Sequence, residues 1–211
     1  MRRPLFIARQ AGRPSGLLGR VIAAIMVRET AATNRAAIAA LQVMPGEHVL
    51  DVGCGSGHSI ELLVPLVAHG SVSGADPSAL MTARAKHRNA VGAANDRVVI
   101  VTAAVEQLPF VDETFDAVMS VHSVYFWEKL GQALTEIYRV MQPGGRLVLL
   151  FRSNANEATV ASFPSQVYRI RSLTEIEDAV IAAGLVVAAA SPDGPDGKPA
   201  MLIAKKASPT A

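Results

Sequence analysis

Two carboxylates flank a glycine-rich turn in this sequence, and a histidine stands among aromatic residues further on. The first acid is Asp51, in the run Val49-Leu50-Asp51-Val52-Gly53-Cys54-Gly55-Ser56-Gly57. A short apolar stretch meets the acid, and three glycines then alternate with small residues. Glycine permits φ > 0, and its missing side chain lets backbone N–H groups approach a ligand closely. The second acid, Asp76, closes the strand-like run Ser71-Val72-Ser73-Gly74-Ala75. An acid at the end of a second strand is placed to hold a ribose diol. It also reads as an N-cap for a helix opening at Pro77, and the two roles are compatible. Together these residues point to a nucleotide-type ligand in a small-molecule crevice.

The third group is Ser120-Val121-His122-Ser123-Val124-Tyr125-Phe126-Trp127. Histidine titrates near pH 7, which makes His122 a candidate general base. Tyr125 and Trp127 offer π faces to a cation or an electron-rich ligand. The plainer reading is that Phe126 and Trp127 anchor the next helix in the core.

These groups need elements to position them. Val49–Val52 reads as a first strand, and Ser59–Val67 as a helix with apolar residues at Ile60, Leu63 and Val67. Pro77–Val91 reads as a helix with proline in its first turn, where the missing N–H costs nothing. Val98–Val101 and Phe115–Ser120 are the third and fourth strands, and Leu130–Met141 is a helix. Pro143-Gly144-Gly145 turns the chain into a fifth strand, Arg146–Leu150. Ser172-Leu173-Thr174-Glu175 is a capping box for a helix ending at Gly184. Leu185–Ala190 and Ala200–Lys205 form a closing hairpin across a loop rich in Pro, Asp and Gly. The alternation predicts an α/β fold: a doubly wound, mainly parallel sheet with an antiparallel C-terminal edge.

Ahead of the first strand, Met1–Gly16 is basic and broken by Pro4, Gly12 and Pro14, predicting an extended arm. Leu17–Met44 reads as two helices with Thr33 or Asn34 as the cap between them. No linker or repeat divides the 211 residues, so one domain is expected: arm and helices over 1–44, α/β core over 45–211.

Composition narrows the function. Hydrophobic residues make up 50% and charged ones 18%, which suits a globular chain rather than a disordered one. A formal net charge of +2 provides no strong field for nucleic acid. The single cysteine, Cys54, excludes an internal disulfide and a cysteine-based zinc site, so no metal is expected. No apolar run approaches a membrane span, and no secretory signal stands out, so the expectation is a soluble cytoplasmic protein.

The strings VLDVGCGSG, GADPS, VEQLPFVDETFDAVMS and EIYRVMQPGGRLVLLF, in that order, resemble class I S-adenosylmethionine (SAM)-dependent methyltransferases. They are similar in particular to the small-molecule enzymes of the ubiquinone/menaquinone-biosynthesis type. The resemblance covers about Pro45 to Phe151, half of the chain. It implies a seven-stranded Rossmann-like sheet, an N-terminal helical lid, SAM as cofactor and a small-molecule acceptor. Gly53, Cys54, Gly55 and Gly57 would lie along the ribose and methionine moieties, with Ser120 nearby. Asp51 would attract the methionine ammonium, and Asp76 with Pro77 would hold the ribose. Met81 would lie on the adenine, which the backbone of Val105 and the neighbouring Glu106 would meet. The family commonly has an acid before that point, where this chain has Ala104. His122 would take the acceptor's proton. Asn34, Tyr125, Trp127 and Arg152 would surround the substrate, with Met26, Arg28, Asn154 and Tyr168 as further candidates.

Two other readings stand beside this one. A SAM-binding protein without transfer activity would suit Ala104 and the lack of a definite base. An NAD-dependent oxidoreductase would favour GxGxxG, whereas His58 and Ser59 follow Gly57. A nucleic-acid methyltransferase is disfavoured, because no asparagine–proline–proline–aromatic string occurs. The acceptor atom and the oligomeric state stay open.

Overall fold

The computed structural model describes residues 4–12, 14–155, 157–194 and 198–208. Its elements are α1 (Leu5–Gly12), α2 (Gly16–Leu41), β1 (His48–Val52), α3 (His58–Leu63), β2 (Ser71–Asp76), α4 (Ala79–Arg88) and α5 (Ala90–Ala94). There follow β3 (Val98–Thr102), β4 (Phe115–Val121), a 3-10 turn (Val124–Phe126), α6 (Leu130–Val140) and β5 (Met141–Phe151). The chain ends in α7 (Glu157–Ser162), α8 (Leu173–Ala182), β6 (Leu185–Ser191) and β7 (Ala200–Lys206).

Seven strands form one sheet in the order β3-β2-β1-β4-β5-β7-β6. The first five are parallel, and β7 runs antiparallel to both β5 and β6. The expected mainly parallel sheet with an antiparallel edge is therefore present. Strand order reverses between β1 and β4, so the crevice opens at their carboxyl ends. Asp51 sits there, paired with Gly74 of β2 and Met119 of β4.

Alternation along the strands loads both faces of the sheet. Leu50, Val118, Leu147 and Leu149 join the core under α6 and α8, against Leu134, Ile137, Ile176 and Val180. Val49, Ala117, Met119 and Val148 face the other way, against Ile38 and Leu41 of α2 and Ile60 and Leu63 of α3. A sheet buried on both faces explains why β1 reads as an almost continuous apolar run.

Three expectations change. The N-terminal segment is not an extended arm: Leu5–Gly12 is a helix, with Ala8 and Ala11 packed into the core. Arg2, Arg3 and Arg13 lie outside the described residues. Leu17–Met44 is not two helices but most of one, α2, with Asn34 in its interior. Asn34, one of the two polar residues that suggested a break, lines the crevice instead. The third change is in the helix after Asp76, which starts at Ala79. Ser78 is its N-cap, accepting from the Met81 N–H at 3.4 Å, so neither Asp76 nor Pro77 opens it.

Other local signals hold. The Ser172 side chain caps α8 by accepting from the Glu175 N–H at 3.0 Å, and Gly184 follows with φ +93°. Arg146, at the base of β5, donates to both oxygens of Glu47 at 2.8 and 2.7 Å, to Gln42 O at 2.9 Å, and to Leu41 O. That guanidinium pins the C-terminus of α2 to the sheet, where the last helical carbonyls lack intrahelical partners. Among the described residues, no helix is long and apolar enough to cross a membrane. No cluster of three or more His, Cys, Asp or Glu there could hold a metal ion.

Candidate active site

A cavity of about 310 Å³ opens at the carboxyl ends of β1, β2 and β4. Its floor is the glycine turn. Gly53 and Cys54 donate their N–H groups to Ala75 O at 2.8 and 3.2 Å, tying the turn to β2. Gly53 has φ +77°, and a Cβ there would lie 2.4 Å from the Ser123 Cβ. The turn and the loop after β4 are therefore in contact with no room between them. Gly57 has φ +75°, and its carbonyl accepts from Asn89 Nδ2 at 3.0 Å as α3 begins.

Asp76 is held by two backbone donors, the Gly55 N–H at 3.0 Å and the Ser78 N–H at 2.8 Å. Each carboxylate oxygen keeps a lone pair for a further donor. Burial raises the Asp76 pKa, and those two N–H bonds oppose the shift. Asp51 is 2% exposed. One of its oxygens accepts from the Ser59 hydroxyl, while its Oδ1 makes no hydrogen bond to a described residue. Burial pushes its pKa up to about 7, against the pull of Ser59, and the Asp76 charge adds to the rise. A buried carboxylate with a free oxygen is costly until a cation or donor meets it. The residues thus fit a ligand that carries a diol and an ammonium group.

This raised pKa makes a prediction. Asp51 binds its proton more tightly folded than unfolded, where its pKa is about 3.8. Its contribution to stability is present below that value and is lost as pH rises through about 7. Denaturant titrations between about pH 4.5 and 7.5 should show wild-type stability falling relative to Asp51→Asn. Parallel profiles for the two proteins would contradict the assignment. An ammonium ligand should release a proton from the site near pH 7, measurable as buffer-dependent binding heat.

The segment after β3 is held from below. Arg139 donates to Glu136 (2.7 and 2.8 Å), to Asp112 (2.6 Å), and to the carbonyls of Leu108 and Phe110 (3.0 and 2.8 Å). Glu106 lines the cavity, but its Oε1 accepts from the Glu128 and Lys129 N–H groups at 2.8 and 3.3 Å. That oxygen serves as the cap α6 otherwise lacks, since Lys129 provides none.

His122 follows β4 with φ +55°, where a non-glycine residue is uncommon. Its N–H donates to Leu150 O at 2.8 Å, and its Nδ1 lies 2.9 Å from the Tyr125 hydroxyl. That hydroxyl accepts from the Arg152 N–H at 2.6 Å. Burial, with the Arg152 charge adding and Asp193 opposing, depresses the His122 pKa to about 4. The ring is therefore neutral at pH 7, not poised near 6.5 as an unperturbed histidine would be.

Of the residues singled out in the sequence, Asn34, Asp51, Gly53, Cys54, Gly55, Asp76, Pro77, Met81, Val105, Glu106, His122 and Trp127 line the cavity, as does Met26. Four others stand back from it. Gly57 caps α3. Ser120 lies beneath the wall, paired with the Ser123 hydroxyl. Tyr125 is buried behind His122, in ring contact with Phe126 and Tyr168. Arg152 reaches the site through its backbone N–H. Arg28 and Asn154 are exposed, and Tyr168 is core.

Several residues escaped the sequence reading. Ser59 and Ser123 touch the key groups, and Thr30 and His58 line the cavity. Arg171 donates to Val124 O and Trp127 O at 2.9 and 3.3 Å, fixing the loop after β4. Ser59 alone had a local signal, two residues beyond the last glycine of the turn. At the mouth, the Ser78 hydroxyl donates to Pro14 O at 3.0 Å, and a Cβ on Gly12 would meet the Phe126 ring at 2.9 Å. The N-terminal segment thus lies against the crevice.

A doubly wound sheet with this turn, two acids and a covering helix suits SAM, which carries both a ribose diol and an ammonium group. Residues 50–149 match the family described as a methyltransferase domain. The chain is 38% identical over 124 residues to the demethylmenaquinone methyltransferase of Lactiplantibacillus plantarum, covering 58% of this chain and 52% of that one. It is 31% identical over 118 residues to a ubiquinone/menaquinone biosynthesis C-methyltransferase of Geotalea daltonii, covering 56% and 50%. The chain thus spans about half the length of these relatives. Among solved structures, a SAM-dependent methyltransferase from Aquifex aeolicus superposes with a TM-score of 0.69 at 19% identity, covering 82% and 89% of the two chains. The geranyl diphosphate C-methyltransferase of Streptomyces coelicolor A3(2) gives 0.71 at 18% identity, covering 92% and 86%. These two likenesses concern the fold.

Proposed function

We propose that the chain transfers the methyl group of SAM to a small-molecule acceptor, working as one domain with residues 1–44 as its lid. The observation that carries this reading is Asp76, buried at the end of β2 and fixed by the Gly55 and Ser78 N–H groups beside the cavity. SAM supplies a methyl carbon bonded to a sulfonium, open to in-line displacement by an electron-rich atom. Asp76 accepts from the ribose hydroxyls, and Asp51 meets the ammonium with its free oxygen. Met81 and Val105 bound the adenine. Asn34, Trp127 and His122 face the acceptor side, under a cover of Met26, Thr30 and Gly12. Positioning of this kind supplies much of the acceleration in a displacement reaction.

The match to quinone-biosynthesis relatives favours an aromatic or enolic acceptor. Small molecules suit the enclosed cavity, and the net charge of +2 gives nucleic acid little hold. A cytoplasmic setting agrees with the bacterial relatives. A second reading, SAM binding without transfer, draws on Ala104 and on the weak basicity of the His122 ring.

Calorimetry near neutral pH should show one site for SAM and for S-adenosylhomocysteine, with NAD silent. Release of S-adenosylhomocysteine with a panel of phenolic and quinol acceptors then separates transfer from binding alone. Tight NAD binding with no response to SAM would sink the proposal.

A further inference from the structure

The hydrogen bonds behind His122 determine which of its nitrogens carries the proton. The Tyr125 hydroxyl is 5% exposed as a residue, and it touches two polar partners: the Arg152 N–H at 2.6 Å and His122 Nδ1 at 2.9 Å. The amide can only donate, so one hydroxyl lone pair is filled. If Nδ1 also carried a proton, the hydroxyl would accept twice and its own hydrogen would be buried without an acceptor. The arrangement that satisfies the amide, the hydroxyl and the ring nitrogen has the hydroxyl donating to a bare Nδ1. A neutral imidazole then carries its proton on Nε2. That nitrogen makes no hydrogen bond to a described residue, and the ring lines the cavity. Arg152 and Asp193 are the charged groups flanking the pair.

We propose that Tyr125 is a positioning residue that fixes His122 as its Nε2–H tautomer, so the ring offers the acceptor a hydrogen-bond donor and not a base. The fitting substrate presents an oxyanion, a phenolate or enolate, that carries its nucleophilic electron pair before transfer. This rests on the cavity being the methyl-transfer site. The acceptor's electron pair forms the bond to the methyl carbon, and the carbon–sulfur pair stays on sulfur. The sulfonium's positive charge and the oxyanion's negative charge cancel. No proton passes through His122. The left-handed backbone at His122, held by its own N–H to Leu150, aims the ring at Tyr125.

Nitrogen-15 NMR of the histidine rings in the full chain tests this, the signal being assigned by its loss in His122→Gln. Wild-type protein should show a protonated Nε2 and a bare Nδ1, unchanged between about pH 5.5 and 8.5. Tyr125→Phe should mix the two tautomers and raise the pH at which the ring charges, because the neutral form loses its donor. Melting curves for both proteins confirm folding, and the wild-type spectrum decides the tautomer by itself. A protonated Nδ1 in wild type, or an unaltered ring in folded Tyr125→Phe, would overturn the assignment to Tyr125. With S-adenosylhomocysteine bound, 4-nitrophenolate should shift the Nε2–H resonance, and no shift at saturating probe would overturn the oxyanion role. Failure of S-adenosylhomocysteine to bind at all would instead count against the cavity as the methyl-donor site.

Discussion

Gly53→Ala should abolish measurable SAM binding and lower stability by about 2–5 kcal/mol. Two costs add. A non-glycine residue in the left-handed region loses about 1–2 kcal/mol, and Gly53 sits at φ +77°. Overpacking costs about 1–3 kcal/mol more, because the new methyl would stand 2.4 Å from the Ser123 Cβ. Yielding means pushing apart the floor of the crevice and the loop carrying His122. The double variant Gly53→Ala/Ser123→Gly separates the two terms. It should recover the overpacking part of the stability and leave the backbone part, with denaturant midpoints as the readout. A single variant as stable as wild type would show that the turn and the loop do not meet as described.

Asp76→Ala should weaken SAM binding by about 10- to 150-fold for each bond lost. A hydrogen bond to a charged group contributes about 1.5–3 kcal/mol, and about 1.4 kcal/mol is a factor of ten. The same substitution frees the Gly55 and Ser78 N–H groups that Asp76 now holds, so part of the loss comes from a looser turn. Asp76→Asn is the informative companion. It keeps the shape and one acceptor oxygen but loses the charge and the second acceptor, and should fall between wild type and alanine. Calorimetry on all three proteins at one pH gives the ordering. Equal affinity for SAM across them would remove Asp76 from the ribose site.

What the sequence made legible was short-range. The glycine turn, both acids and the Ser172 cap each depend on residues within a few positions of one another, and each stands where it was expected. The parallel sheet followed from alternation of apolar runs. The misreadings arose where distant residues decide. Pro4, Gly12 and Pro14 argue against a helix locally, yet Leu5–Gly12 is helical because Ala8 and Ala11 bury against the core. Asn34 resembled a cap, but a polar residue facing a cavity leaves the same mark in the sequence as a helix break. Tyr125 was read as a ligand contact. Its hydroxyl meets Arg152, 27 positions away, and no local pattern encodes that partner. The neutral state of His122 follows from burial and from Arg152, neither of which a string of residue types contains.

The pin that Arg146 places on the end of α2 makes that end the firmest pivot of the long helix. Leu41 and Gln42 are fixed to the sheet, while the opposite end begins at Gly16, 26 residues away. At about 1.5 Å per residue the beam is roughly 39 Å long, so a tilt of about 5° at the pivot moves its tip by about 3 Å. Points along the beam travel in proportion to their distance from the pivot. Asn34, near the fixed end, barely shifts, and Thr30 and Met26 move progressively further. A tilt about that pivot would widen the pocket first at its mouth, where the Ser78–Pro14 hydrogen bond would have to yield, and last at its floor. A ligand lodged against Asp51 and Asn34 would keep its lining throughout such a tilt, while an acceptor gained room to pass beneath Met26.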